Sequence, residues 1–371
     1  MNPLDLVRPE IRALQAYSSA RMEARGGGLL LNANESPWPP FGHDNGWNRY
    51  PDPQPAALLD RLAELYGVEP SRVLAGRGSD EGIDLLVRAF CAASRDAILV
   101  SPPTFGMYAT SARLQGAGVI ESPLDDDFTL DADALLAKVT PAVKLVFVCA
   151  PNNPTGAPVP RATILRMAEA LRERALLVVD EAYVEFVEPD ADWGSVAGCA
   201  GTPANLVVLR TLSKAWALAG VRVGALLADA RVVDLLRKLM PPYPLPAPCV
   251  EAALRAVSPA GECMMRERVA LTIRERARVR TAMAQLACVR EVLPSRANFL
   301  TVRFHDPEAA LAALSRAGIL VRDVRRYPSL GDALRITLGT PAENDRVLRT
   351  LDACRCAATA EHGDARVEQP A

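Results

Sequence analysis

Four short apolar runs constrain this chain more than any other feature: AILVSPP (97–103), KLVFVCAP (144–151), ALLVVDEAY (175–183) and NLVVLRTLS (205–213). Each is nearly continuous in Val, Leu, Ile, Phe and Ala over one strand length. A strand with one wet face alternates apolar and polar residues, whereas a strand buried on both faces does not. Stretches of helical period accompany them, namely LLDRLAELYG (58–67), SDEGIDLLVRAFCAA (79–93) and RATILRMAEALRER (161–174). The alternation predicts an α/β fold with a mostly parallel central sheet flanked by helices.

The pattern changes at MPPYPLPAPC (240–249), whose prolines mark a break. Beyond it, a long charged helix over about 262–286 precedes strand-like VREVLPS, NFLTVRF, ILVRDV and ALRITLG, with helical DPEAALAALSRAG (306–318) among them. This predicts a smaller α+β domain. The expected division is an N-terminal arm (1–45) contributing to the small domain, a large domain (46–245), the small C-terminal domain (246–356) and a disordered polar tail (357–371).

Bulk properties exclude several classes. The 371 residues are 50% hydrophobic with a net charge of -2, which lacks the basic excess of a nucleic-acid binder. Of the eight cysteines (91, 149, 199, 249, 263, 288, 354 and 356), none forms Cys-x-x-Cys, so no metal site is expected. The amino terminus does not resemble a secretion signal, and no run reaches the length of a membrane span. The expectation is a cytoplasmic protein with no membrane partner.

Chemistry concentrates where strand-like runs end, because ligands of open α/β sheets collect outside the carboxyl ends of the strands. Asp180 closes one run, with Tyr183 three residues on; Asn152 and Asn153 follow another; Ser213-Lys214 follows a third, with Arg222 eight residues later. Gly76, Gly78 and Ser79 precede a helix, a place where free N–H groups cradle phosphate. Taken singly, these read as a cap, a turn, a solvated lysine and an ordinary helix entry. Taken together they match the needs of pyridoxal 5'-phosphate (PLP), which requires a lysine, a carboxylate against its pyridine nitrogen, donors to its phenolic oxygen and an anion cradle. Asp80 and Glu81, in the first turn of that helix, would have to turn away from a phosphate.

NANE (32–35), NRYPDPQP (48–55), GSDEGIDLLVRAF (78–90), PPTFGMY (102–108), PNNPTG (151–156), DEAYVEF (180–186), RTLSKAWALAGVRVG (210–224) and LRITLGT (334–340) resemble, in order, the fold-type I PLP enzymes of the class I and II aminotransferases. Within that group they resemble the histidinol-phosphate aminotransferases, over residues 1–352. The resemblance implies that Lys214 carries the cofactor and moves the proton, and that Asp180 partners the pyridine nitrogen. It implies that Tyr183 and Asn153 donate to the phenolic oxygen, and that Ser79, Asp80, Thr211, Ser213 and Arg222 form the phosphate cradle. Tyr108 is expected to stack on the cofactor ring, and Tyr50 to reach the site of a partner subunit in a homodimer. Tyr17, Asn153, Arg322 and Arg335 are the expected substrate contacts. The chain departs from common family patterns at Ser36, Phe105 and Trp216.

The implied activity is transamination between L-histidinol phosphate and 2-oxoglutarate, in histidine biosynthesis. The alternatives on the same frame are an aromatic amino-acid transaminase and a phosphothreonine-type decarboxylase. A PLP-binding regulator would need a nucleic-acid-binding module, and no basic segment of that kind precedes residue 30.

Overall fold

The apolar runs form the middle of a seven-stranded sheet in the computed structural model, which describes residues 2–15, 29–42, 46–188 and 192–354. Its strands are β1 (Val73–Gly76), β2 (Ala97–Val100), β3 (Gly118–Glu121), β4 (Val143–Cys149), β5 (Leu176–Asp180), β6 (Leu206–Thr211) and β7 (Gly224–Leu227). They lie in the order β1-β7-β6-β5-β4-β2-β3, and only β7 runs against its neighbours. The expectation of a mostly parallel sheet flanked by helices holds. Alternate residues enter two different cores: Leu177 and Val179 of β5 pack on one face, Leu176 and Val178 on the other. That two-sided burial is why these strands read as unbroken apolar runs.

The helices Ala56–Tyr66 and Arg161–Ala170 cover one face, while Ser79–Phe90, Met107–Gln115 and Ala230–Arg237 cover the other. Strands β1 and β7 escape the sequence pattern because each is only four residues long with glycine at one end, VLAG and GALL. The edge strand β3 escapes it because both its ends are exposed.

A second sheet, ordered β10-β11-β9-β8, joins β8 (Val289–Val292), β9 (Phe299–Phe304), β10 (Arg322–Asp323) and β11 (Ala333–Thr337). Its pairings are all antiparallel. Three helices pack on it, each started by a capping side chain followed by proline: Ser258 before Pro259–Met283, Asp306 before Pro307–Arg316 and Thr340 before Pro341–Asp352. The cap oxygen satisfies a free N–H, and proline at the first helical position lacks the N–H that would otherwise be left open. The cap at Ser258 also explains why the long helix begins before the expected residue 262.

Two features differ from the expected division. Val7 of the N-terminal arm packs in the core shared by Ile83 and Leu86, and Arg8 bonds the Ala89 and Arg88 carbonyls. The described arm residues 2–15 therefore sit on the large domain rather than the small one, held by an apolar side chain and backbone pairing. Beyond 245, Val250, Ala253, Met265 and Val269 still belong to the core of the large sheet, so that core runs across the proline-rich segment. Arg276 of the long helix is buried and ties the parts together: it donates to the Phe186 and Ala297 carbonyls at 2.9 Å each, and to Glu188. The proposed tail lies outside the described residues.

Candidate active site

Strands β4, β5 and β6 are neighbours and parallel, so their carboxyl ends lie side by side. This brings Asn153, Asp180 and Lys214 to one edge of the sheet. Because β7 runs in the opposite sense, its amino end lies at the same edge, and Arg222 arrives there just before it. The start of helix Ser79–Phe90 follows β1, which is parallel to β6 through β7. These pieces, with Thr211, Ser213, Tyr183, Arg322 and Arg335, line one cavity of about 810 Å³.

Asp180 is the most constrained of them. It shares the parity of Leu176 and Val178, so its side chain faces the core that contains Tyr108. The Tyr108 hydroxyl donates to Asp180 Oδ2 at 2.8 Å, and the Ala182 N–H donates to Oδ1 at 3.1 Å. At 2% exposure, burial pushes the carboxyl from its ordinary 3.8 up to about 6. No cation forms an ion pair with it among the described residues. A buried carboxylate at a cavity floor with only neutral donors is suited to a protonated ring nitrogen.

Lys214 reaches into the cavity and stays open to its solvent, with Nζ 5.7 Å from the centre of the Tyr183 ring. Desolvation by the cavity walls, and then the Arg335 charge, hold its amine below the ordinary lysine value. A depressed amine is more often neutral and so a better nucleophile. Asn153 Nδ2 donates to the Tyr183 hydroxyl at 3.4 Å, so the two expected phenolic-oxygen donors are adjacent. Arg335 Nη1 donates to Asn153 Oδ1 at 2.5 Å, which links the small sheet to this group.

The anion cradle is built by close backbone approach. Gly78 begins the helix at φ 80, with no side-chain cap, so the first helical N–H groups of Ser79 and Asp80 remain for a ligand. A Cβ on Gly78 would lie 3.0 Å from Arg222 Nη2, and one on Gly224 would lie 2.7 Å from the Arg210 carbonyl. Arg222 Nη1 donates to Ser213 Oγ at 3.2 Å, and Thr211 Oγ1 accepts from the Ser213 N–H at 3.1 Å. Glu81 turns away as expected, onto Arg77. Asp80 does not: its carboxylate accepts from Arg222 Nη2 at 3.3 Å.

Tyr108 is a correction. It is fully buried beneath the cavity, stacked on Phe147 with centroids 4.7 Å apart, and is not placed to stack on a cofactor. Phe105 lines the cavity instead, edge-on to Tyr108 at 5.5 Å. Residues 105 and 108 lie on either side of a helix start, and only the tertiary structure shows which of the two aromatics faces the ligand. Tyr50 is also outside this cavity, 47% exposed and stacked on Tyr243 at 4.3 Å. Tyr17 lies outside the described residues.

A hidden charge cluster supports the edge. Arg210, at the end of β6, is buried and donates to Glu181 at 2.8 Å and Glu185 at 2.6 Å, with its guanidinium 4.7 Å from the Tyr66 ring centre. Trp216, two residues after Lys214, donates its indole N–H to Glu185 at 3.3 Å. Sequence reasoning had no role for Arg210, since a charged residue inside an apolar run carries no signal of its partners.

A lysine, a buried carboxylate, paired amide and phenol donors and a glycine-built anion cradle thus meet at one edge of this sheet. The model of the family described as "Aminotransferase class I and II" matches residues 30–351, and the chain belongs to that family. A histidinol-phosphate aminotransferase of Stenotrophomonas maltophilia (strain R551-3) is 52% identical over 361 residues, which is 96% of this chain and 98% of that protein. Its counterpart from Xylella fastidiosa (strain Temecula1) is 53% identical over 94% of this chain and 96% of its own length. Among solved structures, the histidinol-phosphate aminotransferase of Sinorhizobium meliloti in complex with pyridoxal-5'-phosphate is similar with a TM-score of 0.74 and 28% identity, covering 82% of each chain.

Proposed function

We propose that this chain is a PLP-dependent transaminase that exchanges the amino group of L-histidinol phosphate with 2-oxoglutarate, giving imidazole acetol phosphate and L-glutamate in histidine biosynthesis. The observation that carries the substrate class is the pairing of Arg322 directly opposite Arg335 on β10 and β11, on the wall of the cavity that contains Lys214. Like charges facing each other across a strand pair are unfavourable unless an anion lies between them or nearby. Arg335 Nε is in addition buried without a hydrogen-bond partner. A phosphate dianion suits such a clamp better than a single carboxylate does.

The residues present fit the cofactor. Bound there, PLP supplies an electron sink for the charge left on the substrate carbon when its proton departs. Asp180 would hold a proton on the pyridine nitrogen, Asn153 and Tyr183 would donate to the phenolic oxygen, and Phe105 would cover a ring face. Ser213, Arg222 and the N–H groups at Ser79 and Asp80 hold the cofactor phosphate. Lys214 Nζ would be the covalent anchor and, once released by the incoming substrate amine, the base that takes the proton from the substrate Cα.

A homodimer is part of the same reading. Trp38, Phe41 and Trp47 are 75%, 70% and 45% exposed along the segment that carries Tyr50, an apolar surface that a second copy would cover. Tyr50 would then serve the neighbouring site. The reading also places the enzyme in the cytoplasm with small-molecule partners; none of the described helices is long and apolar enough to cross a membrane.

Transamination by the purified enzyme tests the reading, comparing histidinol phosphate with phenylalanine, tyrosine and phosphothreonine. The highest kcat/KM is expected for histidinol phosphate. A clear preference for an aromatic amino acid, or carbon dioxide release from phosphothreonine, would replace the substrate assignment.

A further inference from the structure

Two consecutive arginines after β10 have opposite surroundings. Arg325 is neutralised by two carboxylates, Asp323 at 2.8 Å and Glu308. Arg326 has no carboxylate partner among the ion pairs of the described residues, and it lines the same cavity as Lys214, Arg322 and Arg335. Its Nη2 donates to the Tyr327 hydroxyl at 3.3 Å, and its guanidinium lies 5.1 Å from the centre of that ring. The Tyr327 hydroxyl in turn donates to the Thr104 carbonyl at 2.8 Å. This bond carries the small domain across to the loop that presents Phe105. Gly106 lies against both side chains: a Cβ there would be in ordinary contact with Arg326 Nη2 at 3.4 Å and the Tyr327 hydroxyl at 3.8 Å.

Arg326 therefore lines the cavity braced against Tyr327, and the guanidinium groups of Arg322, Arg326 and Arg335, like that of Arg113, line it without an ion-paired carboxylate among the described residues. Asp323, which also lines the cavity, is already taken by Arg325. A monoanionic carboxylate can occupy one arginine fork, whereas a phosphate dianion has three oxygens to share among several.

We propose that Arg326, placed by the bond from Tyr327 to Thr104, is a specificity-determining residue that grips the outer oxygens of the substrate phosphate and favours a dianion over the carboxylates of glutamate. The proposal rests on the phosphate-substrate reading above and adds a third cation to Arg322 and Arg335. Arg326 touches neither the reacting carbon nor the cofactor, so its effect falls on binding and not on the proton transfer.

Steady-state kinetics of the cofactor-loaded enzyme test this with Arg326→Gln, Arg326→Lys and Tyr327→Phe, using histidinol phosphate and glutamate as separate substrates. Arg326→Gln is expected to raise KM for histidinol phosphate roughly ten-fold or more, as loss of a hydrogen bond to a charged group does. The value of kcat and the KM for glutamate should stay near wild type. Arg326→Lys should restore much of the loss, and Tyr327→Phe should shift KM the same way by less. An unchanged KM for histidinol phosphate, or an equal rise for both substrates, overturns the proposal. If the wild-type enzyme does not act on histidinol phosphate, the substrate reading itself falls. Arg326 is then judged by inorganic phosphate as a competitor of glutamate, and an inhibition constant unchanged by Arg326→Gln overturns the proposal as well.

Discussion

Arg322 and Arg335 stand directly opposite each other on the antiparallel pair β10 and β11, and both line the cavity into which Lys214 projects. Arg335 is half-buried, and its guanidinium is held below the usual arginine range, first by burial, with the Arg322 charge adding to the effect. Two facing cations cost stability in the free protein and form a strong anion site in the complex.

Arg322→Ala should therefore raise KM for histidinol phosphate far more than for glutamate. The expected loss is about 2–4 kcal/mol in kcat/KM, typical of removing one partner of a charged hydrogen bond. Equal and small effects on both substrates would place Arg322 outside the clamp.

Asp180 couples function to pH. Its folded value near 6 lies above its ordinary 3.8, so the folded protein holds this proton longer than the unfolded chain does. In the cofactor-free protein, this group's unfavourable contribution grows as pH rises from 4 to 6 and is complete above that. The difference amounts to about 3 kcal/mol. Cofactor-free Asp180→Asn should then melt higher than cofactor-free wild type at pH 7, with the gap closing below pH 4. The same variant, loaded with cofactor, should lose orders of magnitude in turnover, because an amide cannot hold the ring proton by charge. A purely capping role for Asp180 predicts the reverse, a stability loss of about 1 kcal/mol with turnover retained.

Lys214→Ala should abolish transamination and the visible absorbance of the covalently held cofactor. The described residues offer no second lysine in the cavity. Wild-type turnover in this variant would end the PLP assignment.

Tyr50→Phe should weaken cofactor retention if Tyr50 serves the partner's site. Mixing a Tyr50 variant with Lys214→Ala should then give hybrid dimers with one intact site. Activity above both parents supports a shared site, and a fully active monomer by light scattering would remove it.

Arg210→Met should destabilise the fold by about 3–5 kcal/mol, because Glu181 and Glu185 would be left buried without their cation. Thermal melting reads this directly. A loss under about 1 kcal/mol would mean that Ser195, Trp216 and backbone donors suffice to hold the two carboxylates.

Much of the large domain was legible in the chain because burial on both faces leaves β4, β5 and β6 almost no polar residues. Their order and their carboxyl ends then point to Asn153, Asp180 and Lys214. The outer strands were not legible: β1, β3 and β7 are four residues each, and all three begin or end in glycine where the pattern needs bulk. Tyr108 shows the same limit within the site. Two aromatics three residues apart look equally suited to cover a ring, and only packing against Phe147 shows that Tyr108 supports Asp180 from below while Phe105 lines the cavity.

The sequence by itself determined the fold class, the cofactor chemistry and most of the residues proposed here to perform it, since these depend on local runs, turns and motifs. The tertiary structure decided which arginines share a wall, where Arg210 finds its acids and how Tyr327 reaches Thr104. Those contacts join residues 25 to 223 positions apart, or across strands whose register no local pattern specifies. Chain order says which groups are available, but only sheet pairing and the docking of the small domain bring their charges to one cavity.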